Sequence, residues 1–509
     1  MCPARELHLQ CNIDGLPISK SSNSCIWPIL IAFTDFPQIS PLPVGIYHGN
    51  SKPESCSLFL SDFVKEIVEL TNNGIIHSEN AYKVVMDAYI CDAPARAYIA
   101  QIKGHTGYRC CSKCTIKGCY VSRRIIFDDL ANSHPRTHEN FVNQVDKRHH
   151  LENSLSPLLQ IPGMDMITQF PFEYMHLVCL GVMRKILMCF LKGDSYNVRI
   201  SANVAAQISN NLINIRTFIA IEFSRKPRSL ADILRWKGTE LRQLLLYTSP
   251  FVFHKFLKPE VEKHLLAFHF AIRILVSPHY VASLIEYARI LIRYFVVHFS
   301  TLYGVQNVSY NVHGLLHLAD DVQKFGPLDK FSAFKFENKL QEIKKLIRKH
   351  DKHLQQLVRR ITENFYTNSP SIQFCQPTLI LNEPKRYSDC VVYPVGLRDP
   401  SYSCATIHGF KITTKRPNNC VTMNNGDICI VDFIATNENN EPFFYGRKFR
   451  EVGPFYTKPQ PSTTVGIYLV KNLSRAKLYP VKKIKSKAMM IPIQEDGNGY
   501  YIAELLHHS

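Results

Sequence analysis

No window of the 509-residue chain approaches ~18 uninterrupted apolar residues, so no transmembrane helix is expected. The opening MCPARELHLQ has no apolar h-region, so a secretory signal is not expected either. Internal repeats, heptad runs and low-complexity tracts are also missing, which argues against solenoids, coiled coils and disordered tails. Acid is in short supply: 42 Asp+Glu face 60 Lys+Arg, a formal charge of +18. That imbalance favours a polyanionic partner, nucleic acid ahead of an anionic membrane, with a basic but ordinary soluble enzyme as the plainer alternative. The 16 cysteines lie scattered except between 110 and 119, so reduced thiols with one metal site are expected rather than a disulfide framework.

What is present centres on residues 84–114, VVMDAYICDAPARAYIAQIKGHTGYRCCSKC. The apolar stretch Val84 to Cys91 reads as a strand ending on Asp92, and the DAPARAY turn runs into a short helical pattern. Upstream, ELHLQCNID alternates into a strand that delivers Asp14, with Gly15 turning the chain. Strands are expected at Cys25 to Phe33 and Val44 to Tyr47, and a helix at 57–71 stopped by Asn73-Gly74. Three strands, a helix, a strand and a helix is how an RNase H-like domain begins. Its first and fourth strands lie side by side, which would bring Asp14 and Asp92 together.

Helical patterns dominate from about 120 to 300: PFEYMHLVCLGVMRKILMCFLK, SANVAAQISNNLINIRTFIA and one long aromatic-rich run, AFHFAIRILVSPHYVASLIEYARILIRYFVVHF. The polar segment 128–156 reads as a loop. After Pro370 short β-like segments follow, among them GFKITT, ICIVDFIA, FFYGRKF and VGIYLVKN, with a Ser- and Pro-containing linker at 367–377. The expected fold class is α/β: an RNase H-like core (1–119 and 305–366), a helical insertion domain (120–304) and a small all-β C-terminal domain (378–509), as a barrel or sandwich.

Three carboxylates are candidates for catalysis: Asp14, Asp92 and Glu337, the last in FKFENKLQEIKKLI. DNA cleavage needs an activated water or 3′-hydroxyl and a stabilised leaving oxygen, which two Mg²⁺ or Mn²⁺ ions held by acids supply. Each acid alone has a structural alternative: a D-G turn for Asp14, a helix cap for Asp92, an exposed acid for Glu337. Cys111 and Cys114 form a C-x2-C pair, and His313 and His317 share one face if NVHGLLHL is helical. Together they make a Cys₂His₂ set for one structural Zn²⁺, with Cys110 or Cys119 as alternative ligands and core packing as the competing account. Glu173 and His176, in EYMH, open an apolar helix as accessory groups near the metals or as a capped core helix. Arg96, Lys103 and His105 follow Asp92 as candidate phosphate contacts. Lys344 and Lys345 begin a basic run at 344–353 that reads as a DNA-facing helix, and KKIKSK at 482–487 reads as a nuclear-import signal.

The strings IDGLPISKSS, CDAPARAYI, IKGHTGYRCCSKC, FEYMHLVCLGVM and YNVHGLLHLADDVQKFGPLDKFSAFKFEN resemble the CACTA (En/Spm, tnp2-like) DNA transposases, in their animal versions. The five blocks occur in the family's order, from about residue 5 onward. The resemblance implies a DDE nuclease and strand transferase, with Asp14, Asp92 and Glu337 on the catalytic positions. It also implies the zinc site shared with Transib and V(D)J recombinase cores. The family often has Asp where this chain has Glu173. DNA is then the implied partner, as transposon terminal inverted repeats and target, in the nucleus, with no membrane and with a homodimer among the assemblies. With only a short stretch before Asp14, a separate N-terminal DNA-binding domain is not expected. A truncated element copy or a domesticated DNA- or chromatin-binding protein without catalysis is therefore the alternative expectation.

Overall fold

Strand β1 (Glu6–Ile13) is buried along its whole second half, from Leu9 to Ile13, because neighbours flank it on both edges. The computed structural model describes residues 6–19, 23–152, 154–349, 351–367, 379–385, 394–493 and 499–506. Beyond β1 the chain runs through β2 (Leu16–Pro17), β3 (Cys25–Phe33), β4 (Leu42–Gly49), α1 (Cys56–Asn73), β5 (Ile75–His77), β6 (Asn80–Tyr89) and α2 (Ala93–Ala100). The sheet order is β2-β3-β1-β6-β5, with β4 on the other edge of β3. β1 is antiparallel to β3 and parallel to β6, which makes the first and fourth expected strands neighbours. Parallel pairing needs a crossover, and α1 lies on that crossover.

Helix α1 starts where Ser55 Oγ accepts the Leu58 N–H (3.2 Å) and ends at Gly74, φ +67°. A Cβ at Gly74 would also lie 2.5 Å from the Tyr82 carbonyl oxygen, so glycine is required there twice over. Its buried residues, Cys56, Leu60, Phe63, Val64 and Ile67, recur at helical spacing and pack with β6. Burying such an aliphatic or aromatic side chain contributes about 1.5–3 kcal/mol. At the turn after β1, a Cβ on Gly15 would meet the Trp27 ring at 2.9 Å, so close approach fixes glycine beside Asp14.

Two local expectations change. The strand expected at Val84 to Cys91 begins at Asn80, as half of a hairpin with β5. DAPARAY is not a separate turn: Asp92 is the N-cap of α2 itself, with proline in its first turn.

The chain comprises two compact units, Met1–Val182 with Val296–Ser371, and Met183–Phe295 with Ile372–Ser509. Residues 120–182 thus group with the sheet just described, and the C-terminal strands group with residues 183–295. Within this second unit Arg273 is fully buried and donates to the carbonyls of Leu246 (2.7 Å), Val465 (2.7 Å) and Glu504 (3.2 Å). Lys487, also fully buried, pairs with Glu222 at 2.8 Å. The aromatic-rich run expected as one helix is two, Pro259–Val276 and Pro278–Tyr303. Ser277 between them is extended (φ −93°, ψ 122°), because the proline ring disfavours helical backbone at the preceding residue.

Among the C-terminal strands, six close into a ring. The order is Cys420–Met423, Ile428–Thr436, Pro442–Pro454, Ile467–Leu473, Gly499–Glu504 and Ile484–Ile493, which pairs back to the first. Closure leaves these strands no free edge, and Ile430, Phe449, Val470, Met490 and Ile502 lie in a common core. Of the expected linker, residues 368–377 lie outside the described residues. No helix among the described residues is long and apolar enough to cross a membrane.

Candidate functional site

β1 and β6 run parallel, so their carboxyl ends meet at one edge of the sheet, and Asp14 and Asp92 follow those ends. Glu337 comes from the first turn of the helix Phe334–Leu346. Lys335 on that helix reaches back to β1, donating to Gln10 Oε1 at 2.8 Å, and burial pulls its ammonium down to about 8. Gln10 in turn donates to the Lys330 carbonyl at 3.1 Å, which holds the segment before the helix against the same strand. The result is that ligand atoms of Asp14, Glu337 and His176 all lie within 4.8 Å of one another.

Burial and crowded negative charge both act on Asp14. Burial first, then the nearby Asp92 and Glu337 carboxylates, raise Asp14 to about 7. Asp92 lies outside that group of three but near enough to act on the Asp14 charge, with its own Oδ1 engaged by the Ala95 N–H at 2.8 Å. The capping alternative for Asp92 is thus realised together with proximity to the other acids.

Glu173 organises this cluster from beneath. Its side chain is 1% exposed and accepts four hydrogen bonds. Oε1 takes the N–H of Met175 (2.6 Å) and of Ala333 (2.7 Å), while Oε2 takes the N–H of His176 (2.6 Å) and its Nδ1 (2.8 Å). Burial works against the Glu173 charge, but His176 and these N–H groups hold its carboxyl below the usual range. His176 is affected oppositely: burial would lower it, yet Glu173, then Asp92 and Asp14, raise it to about 9. Its Nε2 lies 3.9 Å from Glu337. His176 itself lies in the π-helical stretch Met175–Met183, which is followed by α-helix at Arg184–Lys192. The sequence suggested only an apolar helix, and π-helical turns often mark functional sites.

The second cluster is the Cys₂His₂ set. Cys114 Sγ lies 3.5 Å from Cys111 Sγ and 3.2 Å from His313 Nε2; His317 Nε2 lies 3.5 Å from Cys111 Sγ and 3.3 Å from His313 Nε2. Zn–S bonds of about 2.3 Å and Zn–N bonds of about 2.0–2.1 Å imply tetrahedral edges of roughly 3.3–3.8 Å. The four separations sit at or near that range, so this buried group fits a zinc ion. Hydrogen bonding from Cys111 and the two imidazoles holds the Cys114 thiol well below its usual range, and burial pushes Cys111 up. Cys110 is buried and Cys119 exposed, and both lie outside the group of four.

Support for this cluster was hidden in the sequence. Arg136 Nε donates to the carbonyls of Cys111 and Cys114, each at 3.0 Å, and its Nη2 reaches Asp146 at 2.9 Å. Asp321 joins Lys113 of the C-x2-C turn (2.8 Å) to the Phe172 N–H (2.7 Å), and the Phe172 ring stacks on His317. Asp321 lies four residues after His317, a spacing that could have flagged it. Nothing in the sequence singles out Arg136.

The expected phosphate contacts fare unevenly. Arg96 is 3% exposed and donates to the carbonyls of Cys91 (3.4 Å) and Pro171 (2.8 Å), beneath Phe172; burial removes it from any surface, and it acts as a clamp instead. Lys103 is half-buried and His105 exposed. Lys344 is half-buried and donates to the Pro17 carbonyl at 2.5 Å, while Lys345 is exposed. In the 482–487 run, Lys487 is committed to Glu222 and is unavailable to a receptor in the folded chain.

Comparison with known families matches one description, "Domain of unknown function (DUF8592)", to residues 389–505, a span that includes the closed ring of strands. No curated protein matches the chain.

Proposed function

We propose that the chain is a transposase-derived DNA nuclease of the DDE type, built on an RNase H-like core and related to the CACTA elements. The observation that carries this reading is the meeting of Asp14 and Glu337, from opposite ends of one unit, with Asp92 beside them at adjacent parallel strand ends. The central parallel pair flanked by antiparallel strands supports the RNase H-like assignment.

Mg²⁺ or Mn²⁺ at these acids would supply the Lewis acidity that activates a water or 3′-hydroxyl and stabilises the leaving 3′-oxygen. Asp14, Asp92 and Glu337 would hold that charge, and Glu173 fixes Glu337 in place through the Ala333 N–H. Excess Lys and Arg would supply phosphate contacts with DNA, and a nuclear location belongs to the same reading. A DNA- or chromatin-binding protein that no longer cuts is the second reading. What favours it is His176, which Glu173 holds beside Asp14 and Glu337, where an imidazolium would offset the acids without metal.

The test compares wild type with Asp92→Asn on DNA carrying the element's own ends. Nicking by wild type alone, with similar binding by both, supports the nuclease. Binding without nicking in either Mg²⁺ or Mn²⁺ leaves the second reading standing.

A further inference from the structure

The cluster at Asp14 is not made of acids alone. A ring nitrogen of His176 belongs to the same set as the Asp14 and Glu337 oxygens, all within 4.8 Å. Its ring is not free to turn: Nδ1 is bound to Glu173 Oε2 at 2.8 Å, and the backbone N–H of His176 is held by the same oxygen at 2.6 Å. Because the partner is a carboxylate, Nδ1 carries the proton, which leaves Nε2 as the atom facing Glu337 at 3.9 Å. A buried carboxylate gripping one imidazole nitrogen while the other faces further ligands is the outer-shell arrangement of a metal-binding histidine. Glu173 also fixes Ala333, so one buried side chain sets both the imidazole and the helix that carries Glu337.

We infer that His176 is a direct metal ligand, completing an Asp14–His176–Glu337 site that selects Mn²⁺ or another transition ion over Mg²⁺. This rests on the nuclease reading for the role of Asp14 and Glu337, but not for His176. Imidazole suits first-row transition ions, whereas Mg²⁺ takes oxygen ligands and keeps its water. As the Nε2–metal bond forms, any proton on Nε2 leaves to solvent. Asp92, with Oδ1 engaged at the α2 cap, would add negative charge beside this site.

The test is pulsed EPR on the full chain, zinc-replete so that the Cys₂His₂ group is filled, and loaded with one equivalent of Mn²⁺. Wild type should show hyperfine coupling to one imidazole nitrogen, which changes isotope signature when the protein carries ¹⁵N-histidine. His176→Gln should abolish that coupling and weaken Mn²⁺ binding about tenfold or more, with zinc content unchanged as the check on folding. Mn²⁺ binding that depends on Glu337 but shows no nitrogen coupling would overturn the ligand assignment and leave the carboxylate site intact. Coupling that survives in His176→Gln would overturn it too, by placing the nitrogen elsewhere. Absence of any Mn²⁺ binding in wild type would remove both this site and the metal-dependent nuclease.

Discussion

Glu173 accepts the backbone N–H of Ala333 at 2.7 Å, so the residue that opens the π-helical segment also anchors the helix bearing Glu337. Removing the carboxylate would leave N–H donors unsatisfied and the charge on His176 without its partner. Glu173→Ala should cost about 3–5 kcal/mol in denaturant unfolding, while Glu173→Gln, which keeps an acceptor oxygen, should cost clearly less. Equal losses in the two variants would mean that packing, not hydrogen bonding, is what Glu173 provides.

Asp92 has two roles that substitution can separate. Asparagine can still cap α2, so Asp92→Asn should remain nearly as stable as wild type. Asp92→Ala should lose about 1 kcal/mol through the missing cap. Both should lose DNA nicking. An Asp92→Asn protein that melts well below Asp92→Ala would contradict the capping account.

Zinc should be present at one ion per chain by elemental analysis. Cys114→Ser and His317→Ala should lower the melting temperature, because metal binding joins segments distant in sequence. His317 borders a cavity of about 300 Å³ with Lys113, Arg136 and Asp321, so a chelator should strip the ion from that side. Full zinc content in both variants would place the ligands elsewhere.

The pH dependence of the metal-free protein follows from two groups. Asp14 titrates near 7 in the folded chain against an ordinary 3.8, so folding favours its protonated form. That stability is present below about pH 4 and lost as pH rises to 7. His176 adds in the same direction: its folded value near 9 against 6.5 means stability present below 6.5 and lost towards 9. Thermal melts of wild type and Asp14→Asn from pH 4 to 7 should therefore converge on the acidic side, with wild type falling behind as pH rises. A wild type that gains on the variant with rising pH would refute the crowding of acids at this site.

In the second unit, Lys487 and Glu222 bury a full ion pair, each side chain 4% exposed or less. Lys487→Met should destabilise by about 3–5 kcal/mol, since the buried Glu222 carboxylate loses its ammonium partner and keeps the Lys411 N–H, and adding Glu222→Leu should recover most of that loss. An additive double variant would show that the two do not act as a pair.

The parts of this structure written in apolar periodicity were legible from sequence: β3 at Cys25–Phe33, α1 with its stop at Gly74, and the Asp14 and Asp92 strand ends. The hairpin of β5 and β6 was not, because its turn uses Ser78 and Glu79 at positive φ (46° and 65°) rather than a glycine signal. The four ligands of the Cys₂His₂ group followed from spacing, whereas the role of Arg96 did not. A charged residue next to a candidate acid reads as a surface group, and only packing against Phe172 shows it buried. His176 was noticed as an accessory, but its selection of Nε2 depends on the Glu173 hydrogen bond, which no one-dimensional pattern encodes.

The division of the first unit into Met1–Val182 and Val296–Ser371 has a consequence for synthesis. A ribosome delivers Cys111 and Cys114 long before it delivers His313 and His317, and completes Asp14's cluster only after Glu337 emerges. Throughout that interval the nascent chain carries a reduced, unliganded thiol pair, open to oxidants or to stray metal. Translation speed across residues 115–317 therefore sets how long the half-made domain is chemically vulnerable. An oxidising burst timed to that window should damage new chains while sparing finished ones.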